Sequence, residues 1–140
     1  MTSIIIPGKP IAKKRPRFAR RGKFTVTYSD QETEAGKFLL LAKQQIDKIH
    51  TGPLRVDMLF FLARPKSHYG TGKNSTVLKS SAPAYPDSKP DYDNYIKFAL
   101  DCLNEIAWDD DSQVIGGSCF KLYAKDGNAR TEITISEMTL

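Results

Sequence analysis

Hydrophobic and polar positions divide the chain into short alternating runs and two longer stretches of helical period. Ser3 to Ile6 is a β-branched run closed by Pro7-Gly8 and predicts a first strand. Lys23 to Tyr28 (KFTVTY) alternates and predicts a second. Ser29-Asp-Gln-Glu32 has the spacing of a capping box, so Ser29 can cap a helix while Glu32 reaches back. Phe38, Leu41, Ala42, Ile46 and Ile49 then recur at helical spacing over about twenty residues, until Gly52-Pro53 stops the pattern. Leu54 to Leu62 (LRVDMLFFL) predicts a central strand. Residues 63–88 are rich in Pro, Gly, Ser and Lys and predict a long mobile loop, a length that is usually functional or disordered. A second helix is expected from Asp93 to about Ile106 and a tight polar turn at Asp109–Ser112. Strands are expected at Val114–Tyr123 and Ala129–Glu137, joined by a hairpin around Asp126-Gly127-Asn128. The expectation is one mixed α/β (α+β) domain over residues 1–140, in the order β-β-α-β-α-β-β.

Charge changes this picture. The net charge is +5, but Lys9, Lys13, Lys14, Arg15, Arg17, Arg20, Arg21 and Lys23 place eight cations and no acid in residues 9–23. Taking those eight away from +5 leaves −3 for the rest. A mildly acidic domain with a basic loop or arm (residues 8–23) suggests a polyanionic partner. Nothing at the amino end has the form of a signal peptide, and no apolar run is long enough to cross a bilayer. A cytoplasmic protein with reduced thiols at Cys102 and Cys119 is the expectation. His50 and His68 are isolated and read as surface residues.

The candidate chemistry lies between Lys89 and Val114, KPDYDNYIKFALDCLNEIAWDDDSQV. With Asp93 at the start of an ideal helix, Lys97 and Asp101 fall roughly 40° and 80° away. Ile96, Ala99, Leu100 and Leu103 face the other side. Taken singly, Asp91 and Asp93 could serve only the helix terminus, and Asp93 with Lys97 could be only a surface i,i+4 pair. Asp109-Asp110-Asp111 is harder to explain this way, because capping needs no such run and neighbouring carboxylates repel. If the turn carried these acids back to the start of the helix, they would converge and suit a hard cation such as Mg²⁺. The turn is not an EF-hand, since Val114 stands where the glycine belongs. Gly70-Thr71-Gly72-Lys73-Asn74 fails the phosphate-loop pattern at both ends. It leaves Lys73 as a further cation on a basic loop. Acids plus a basic arm suggest phosphodiester hydrolysis, with a cation readying a water and Lys and Arg holding the backbone.

The block Pro90-Asp91-Tyr92-Asp93-Asn94-Tyr95-Ile96-Lys97, followed by Asp101-Cys102-Leu103 and Asp110-Asp111-Ser112-Gln113-Val114, resembles the signature of RusA-type Holliday junction resolvases. Pro7-Gly8-Lys9-Pro10, Lys14-Arg15-Pro16-Arg17-Phe18 and Glu132–Ile135 are similar as well. The resemblance implies a RusA-like fold and a Mg²⁺-dependent endodeoxyribonuclease, with Mn²⁺ as a substitute, acting as a homodimer. Its substrate would be four-way junctions in DNA recombination and repair, in a bacterial or phage-infected cell. By position it implies catalytic roles for Asp91, Asp93, Lys97 and Asp111, with Asp110 as a further ligand. Lys9, Lys13, Lys14, Arg15, Arg17, Phe18, Arg20, Arg21 and Lys73 are the candidate DNA contacts, and Phe18 could insert at the unstacked junction centre. Two alternatives stand beside this reading. One is a non-catalytic DNA-binding module whose acids are structural. The other is a nuclease acting on forks or flaps.

Overall fold

The computed structural model describes residues 1–14, 17–22, 24–28 and 31–139. Strand β1 is Thr2–Pro7, and β2 (Arg17–Arg21) and β3 (Phe24–Tyr28) follow. Helix α1 is Glu32–Lys43, β4 is Leu54–Leu62 and α2 is Tyr92–Leu103. Strands β5 (Val114–Gly116), β6 (Cys119–Tyr123) and β7 (Arg130–Glu137) complete the chain. The result is a mixed α/β domain around a five-stranded sheet in the order β1-β7-β4-β5, with β6 also on β4. Strand β4 is central as expected. It is antiparallel to β7, and parallel to both β5 and β6.

The alternation in LRVDMLFFL accounts for the core. Leu54, Val56, Met58 and Phe60 face the helices and are buried, as are Ile4, Ile133 and Ile135 on the neighbouring strands. From α2, Tyr95 stacks on Phe60 with centroids 5.1 Å apart, and Phe98 meets Phe38 of α1 edge-on at 5.8 Å.

Several expectations change. Within the basic segment, Arg17–Arg21 forms a strand that pairs with β3 (Arg17↔Tyr28 to Arg21↔Phe24), with Gly22 at φ +62° in the turn. Helix α1 has 12 residues instead of about twenty. It ends early because Gln45 turns back to the sheet edge. Gln45 accepts from the Ile5 amide (2.7 Å) and donates to the Ile5 carbonyl (2.8 Å) and to Leu41 O (3.1 Å). One side chain therefore satisfies the open edge of β1 and a terminal helix carbonyl. The Ser29 cap lies outside the described residues. Helix α2 stops at Leu103, three residues before the expected end, and Glu105 takes a left-handed φ of 71°.

The expected strand Val114–Tyr123 is two strands. Gly117 separates them at φ +149°, where a Cβ would lie 1.8 Å from the Val56 carbonyl oxygen. Asp57 accepts at one oxygen from both the amide and the hydroxyl of Ser118, each at 2.8 Å, which fixes the break. The expected hairpin at Asp126–Asn128 is absent: β6 and β7 flank β4 on opposite sides, so their connection crosses over it. His50 is also not on the surface. It is fully buried, 2.8 Å from Thr2 Oγ1 and 3.3 Å from Glu137 Oε1. Both cysteines are free thiols, and burial pushes each up to about 11.

Candidate active site

Lys89-Pro90 brings the chain to α2 through a cis peptide bond. Asp91 occupies the N-cap position in extended conformation, and its carbonyl accepts from the Asn94 amide (3.1 Å). Its carboxylate makes no capping bond; it pairs with Lys89 at 3.3 Å. The capping explanation for this acid is therefore not what the geometry shows. Asp93 sits one turn before Lys97, whose Nζ is 3.7 Å from Asp93 Oδ2. Asp91 and Asp93 are each 54% exposed and Lys97 63% exposed, so all three present charge to solvent.

Two contacts around this cluster were not readable from the sequence. Lys121 of β6 donates to the carbonyls of Ser88 (2.8 Å) and Pro90 (3.0 Å), fastening the approach to Asp91 onto the sheet. A lysine in an alternating strand reads as solvated, so no local signal marks it. The root of the basic segment also lies along α2. The Lys13 amide donates to Asn94 O (2.8 Å), and Lys13 Nζ pairs with Asp101 at 2.8 Å. Buried Gln31 accepts from the Lys14 amide and donates to Ala12 O, both at 2.8 Å, binding this segment to the start of α1.

The acidic turn is built by Gln113. Its Oε1 accepts from the amides of Asp109 (2.9 Å) and Asp110 (3.0 Å), and its Nε2 donates to Gly52 O (3.0 Å) and His50 O (3.3 Å). Asp110 is used within the turn. Its carboxylate caps the short 3₁₀ segment Asp111–Gln113 and accepts from Ser112 Oγ, and this bond to Ser112 lowers its pKa below the ordinary value. Among the described residues, the Asp111 carboxylate has no hydrogen-bond or ion-pair partner, and the residue is exposed. Trp108, fully buried just before the turn, anchors it to the core.

The two acid groups do not converge within one chain. Helix α2 has 12 residues and so spans about 18 Å. Asp91 and Asp93 stand at its start, beside the end of β4 where Phe60 pairs with Lys121. Asp109–Asp111 follow its end, beside the other end of β4 where Leu54 pairs with Val114. The turn leads into a strand parallel to β4, so it cannot carry the acids back. Among the described residues, no three His, Cys, Asp or Glu side chains gather to hold a metal ion. The exposed pair Asp91 and Asp93 nevertheless suits Mg²⁺ in donor type, since that ion is commonly held by one or two carboxylates together with substrate phosphates.

Of the expected DNA contacts, Lys13 and Lys14 are exposed at the segment that runs along α2, Lys9 is exposed beside α1, and Arg17, Phe18, Arg20 and Arg21 lie on β2. Arg15 falls outside the described residues. Lys73 is exposed in a 3₁₀ turn of the 63–88 loop, away from the acidic clusters in sequence. No helix among the described residues is long and apolar enough to cross a membrane.

An uncharacterized protein of Bacillus subtilis (strain 168), YqaN, is 31% identical over 135 residues, covering 94% of this chain and 93% of its own length. Residues 7–136 match the family described as Endodeoxyribonuclease RusA, whose members are metal-dependent nucleases that act on branched DNA and resolve Holliday junctions. With the match covering nearly the whole chain, this protein belongs to the RusA endodeoxyribonuclease family.

Proposed function

We propose that the protein is a Mg²⁺-dependent homodimeric endonuclease that makes paired symmetric nicks in four-way DNA junctions, in the cytoplasm of a bacterial or phage-infected cell. The observation that carries this reading is the start of α2. There Asp91, Asp93 and Lys97 are exposed together, and the Asp91 carboxylate is not spent on capping. Bound Mg²⁺, or Mn²⁺ in its place, would supply charge neutralisation at the scissile phosphate and acidify a water. Asp91 and Asp93 hold that cation. Lys97, next to Asp93, neutralises a phosphate oxygen or orients the water. The cations of residues 9–21 bind the flanking backbone.

The acidic turn enters through the dimer. Asp93 and Asp111 of one chain stand at opposite ends of a helix of about 18 Å, far beyond the ~2.1 Å reach of a Mg²⁺ ligand. A carboxylate from the turn can complete the site only if a second copy supplies it, so Asp111 of the partner subunit joins Asp91 and Asp93. Asp111 is chosen over Asp110 because Asp110 already caps its own turn. An isologous dimer then holds two such sites, matching the approximate two-fold symmetry of a four-way junction.

The test is strand cleavage with Mg²⁺ on a synthetic four-way junction and on a linear duplex of matching sequence. Paired nicks in the junction and none in the duplex are expected. Binding without cleavage, across junction sequences and on forks and flaps, would leave the non-catalytic DNA-binding module as the better reading.

A further inference from the structure

A second feature lies at the same end of the sheet as Asp91 and plays no part in the proposed hydrolysis. A cavity of about 470 Å³ is lined by Phe61, Arg64, Tyr85, Tyr123, Lys125 and Arg130, among others. Its walls alternate cations with aromatic rings. The Arg64 guanidinium lies 4.2 Å from the centroid of the Tyr123 ring, and Arg130 lies 4.0 Å from that of Phe61. Arg64 also donates to Pro83 O at 2.6 Å, which fixes the loop carrying Tyr85 against the sheet. Tyr85 sits one residue before buried Pro86, yet its own side chain is 68% exposed. A large aromatic ring held between two anchored prolines and left in water is unexplained by the fold. Asp126 offsets one of the three cations, so the cavity keeps a net positive charge.

We propose that this groove binds a non-duplex DNA strand, with an unstacked base packing against Tyr85 and the phosphates meeting Lys125 and Arg64. The size is that of a small-molecule pocket, and rings beside cations are what a single strand offers its base faces and phosphates to. The position gives it a role. Lys121, the residue before Leu122 of the groove wall, holds the Ser88 and Pro90 carbonyls. Tyr85 lies six residues before Asp91 in the same loop, so the exposed ring stands close along the chain to the acids at the start of α2. The groove selects DNA in which bases are already unpaired. This inference rests on the nuclease reading for its purpose, but not for its test.

The experiment measures equilibrium binding without added metal and with chelator, so that no cleavage occurs. The probes are a single strand of about ten nucleotides carrying one fluorescent base analogue, and a duplex of the same length. Wild-type protein should quench the analogue on binding. Tyr85→Ala should lose the quenching and weaken single-strand binding about tenfold or more, with duplex binding changed less than about twofold. Tyr85→Trp should restore both. Equal single-strand binding by wild type and Tyr85→Ala, or equal losses on single strand and duplex, would overturn the proposal. Failure of the nuclease reading would appear separately, as an uncut junction in the presence of Mg²⁺.

Discussion

Replacing Gln113 by Leu probes how the acidic turn is held. The amide makes four hydrogen bonds, two to the Asp109 and Asp110 amides and two to the His50 and Gly52 carbonyls. Leu has similar bulk and removes all four. At about 0.5–1.5 kcal/mol each the gross loss would be about 2–6 kcal/mol. One bond is long at 3.3 Å, and water reaches most of the partners, so about 2–3 kcal/mol is the expected cost. For a domain of this size that lowers Tm by about 6–9 °C. Thermal unfolding should be followed by circular dichroism and by the fluorescence of Trp108, the chain's one tryptophan, which is buried beside the turn. Gln113→Glu is a useful companion. It keeps an acceptor for the two amides, but sets an oxygen against the two carbonyls and adds a charge beside three aspartates. A Tm change below about 1 °C for Gln113→Leu, or wild-type stability for Gln113→Glu, would refute this account of the turn.

Three other outcomes follow from the fold. Gly117→Ala should destabilise by more than about 3 kcal/mol in urea unfolding, because the new Cβ would collide with the Val56 carbonyl in a backbone conformation that suits glycine. Asp57 should contribute to acid stability. The Arg55 side chain, with help from the Ser118 amide, lowers its pKa from 3.8 to about 2. A folded-state value below the unfolded one gives stability that is present above about pH 4 and lost as pH falls towards 2. Partial exposure reduces the effect to about 1 kcal/mol, so the stability gap between wild type and Asp57→Asn should close over that window. Finally, Cys102 and Cys119, with thiols raised to about 11, should resist alkylation at neutral pH in the native protein and react on unfolding; fast native labelling of Cys102 would contradict its burial.

The sequence was most informative where one local pattern decides an element. LRVDMLFFL reads as a strand because alternate residues enter the core, and Leu54–Leu62 is the observed span. It was least informative where distant partners decide. The early end of α1 depends on Gln45 reaching the edge of β1. The split between β5 and β6 depends on the Val56 carbonyl, and a glycine inside a strand pattern was its one local signal. Gly127 and its neighbours have good turn chemistry, but turn chemistry does not reveal that β4 lies between the two strands. The site divides in the same way. The helix phase placed Asp93 and Lys97 together, a local property that the 3.7 Å contact bears out. Whether Asp109–Asp111 return to that helix end is a question of topology. The parallel pairing of β5 with β4 sends them to the other end.

The central claim is that one nuclease site draws Asp93 from one chain and Asp111 from the other. Asp93→Asn and Asp111→Asn proteins, each prepared alone, should bind the junction and not cut it. Mixed under conditions that exchange subunits, they should form dimers in which one site carries both substitutions and the other carries neither. The account predicts that junction nicking returns in the mixture, at roughly one quarter of the wild-type site count by random exchange of a two-fold dimer. A mixture that exchanges subunits yet stays inactive would place all the acids of a site on a single chain and contradict the claim.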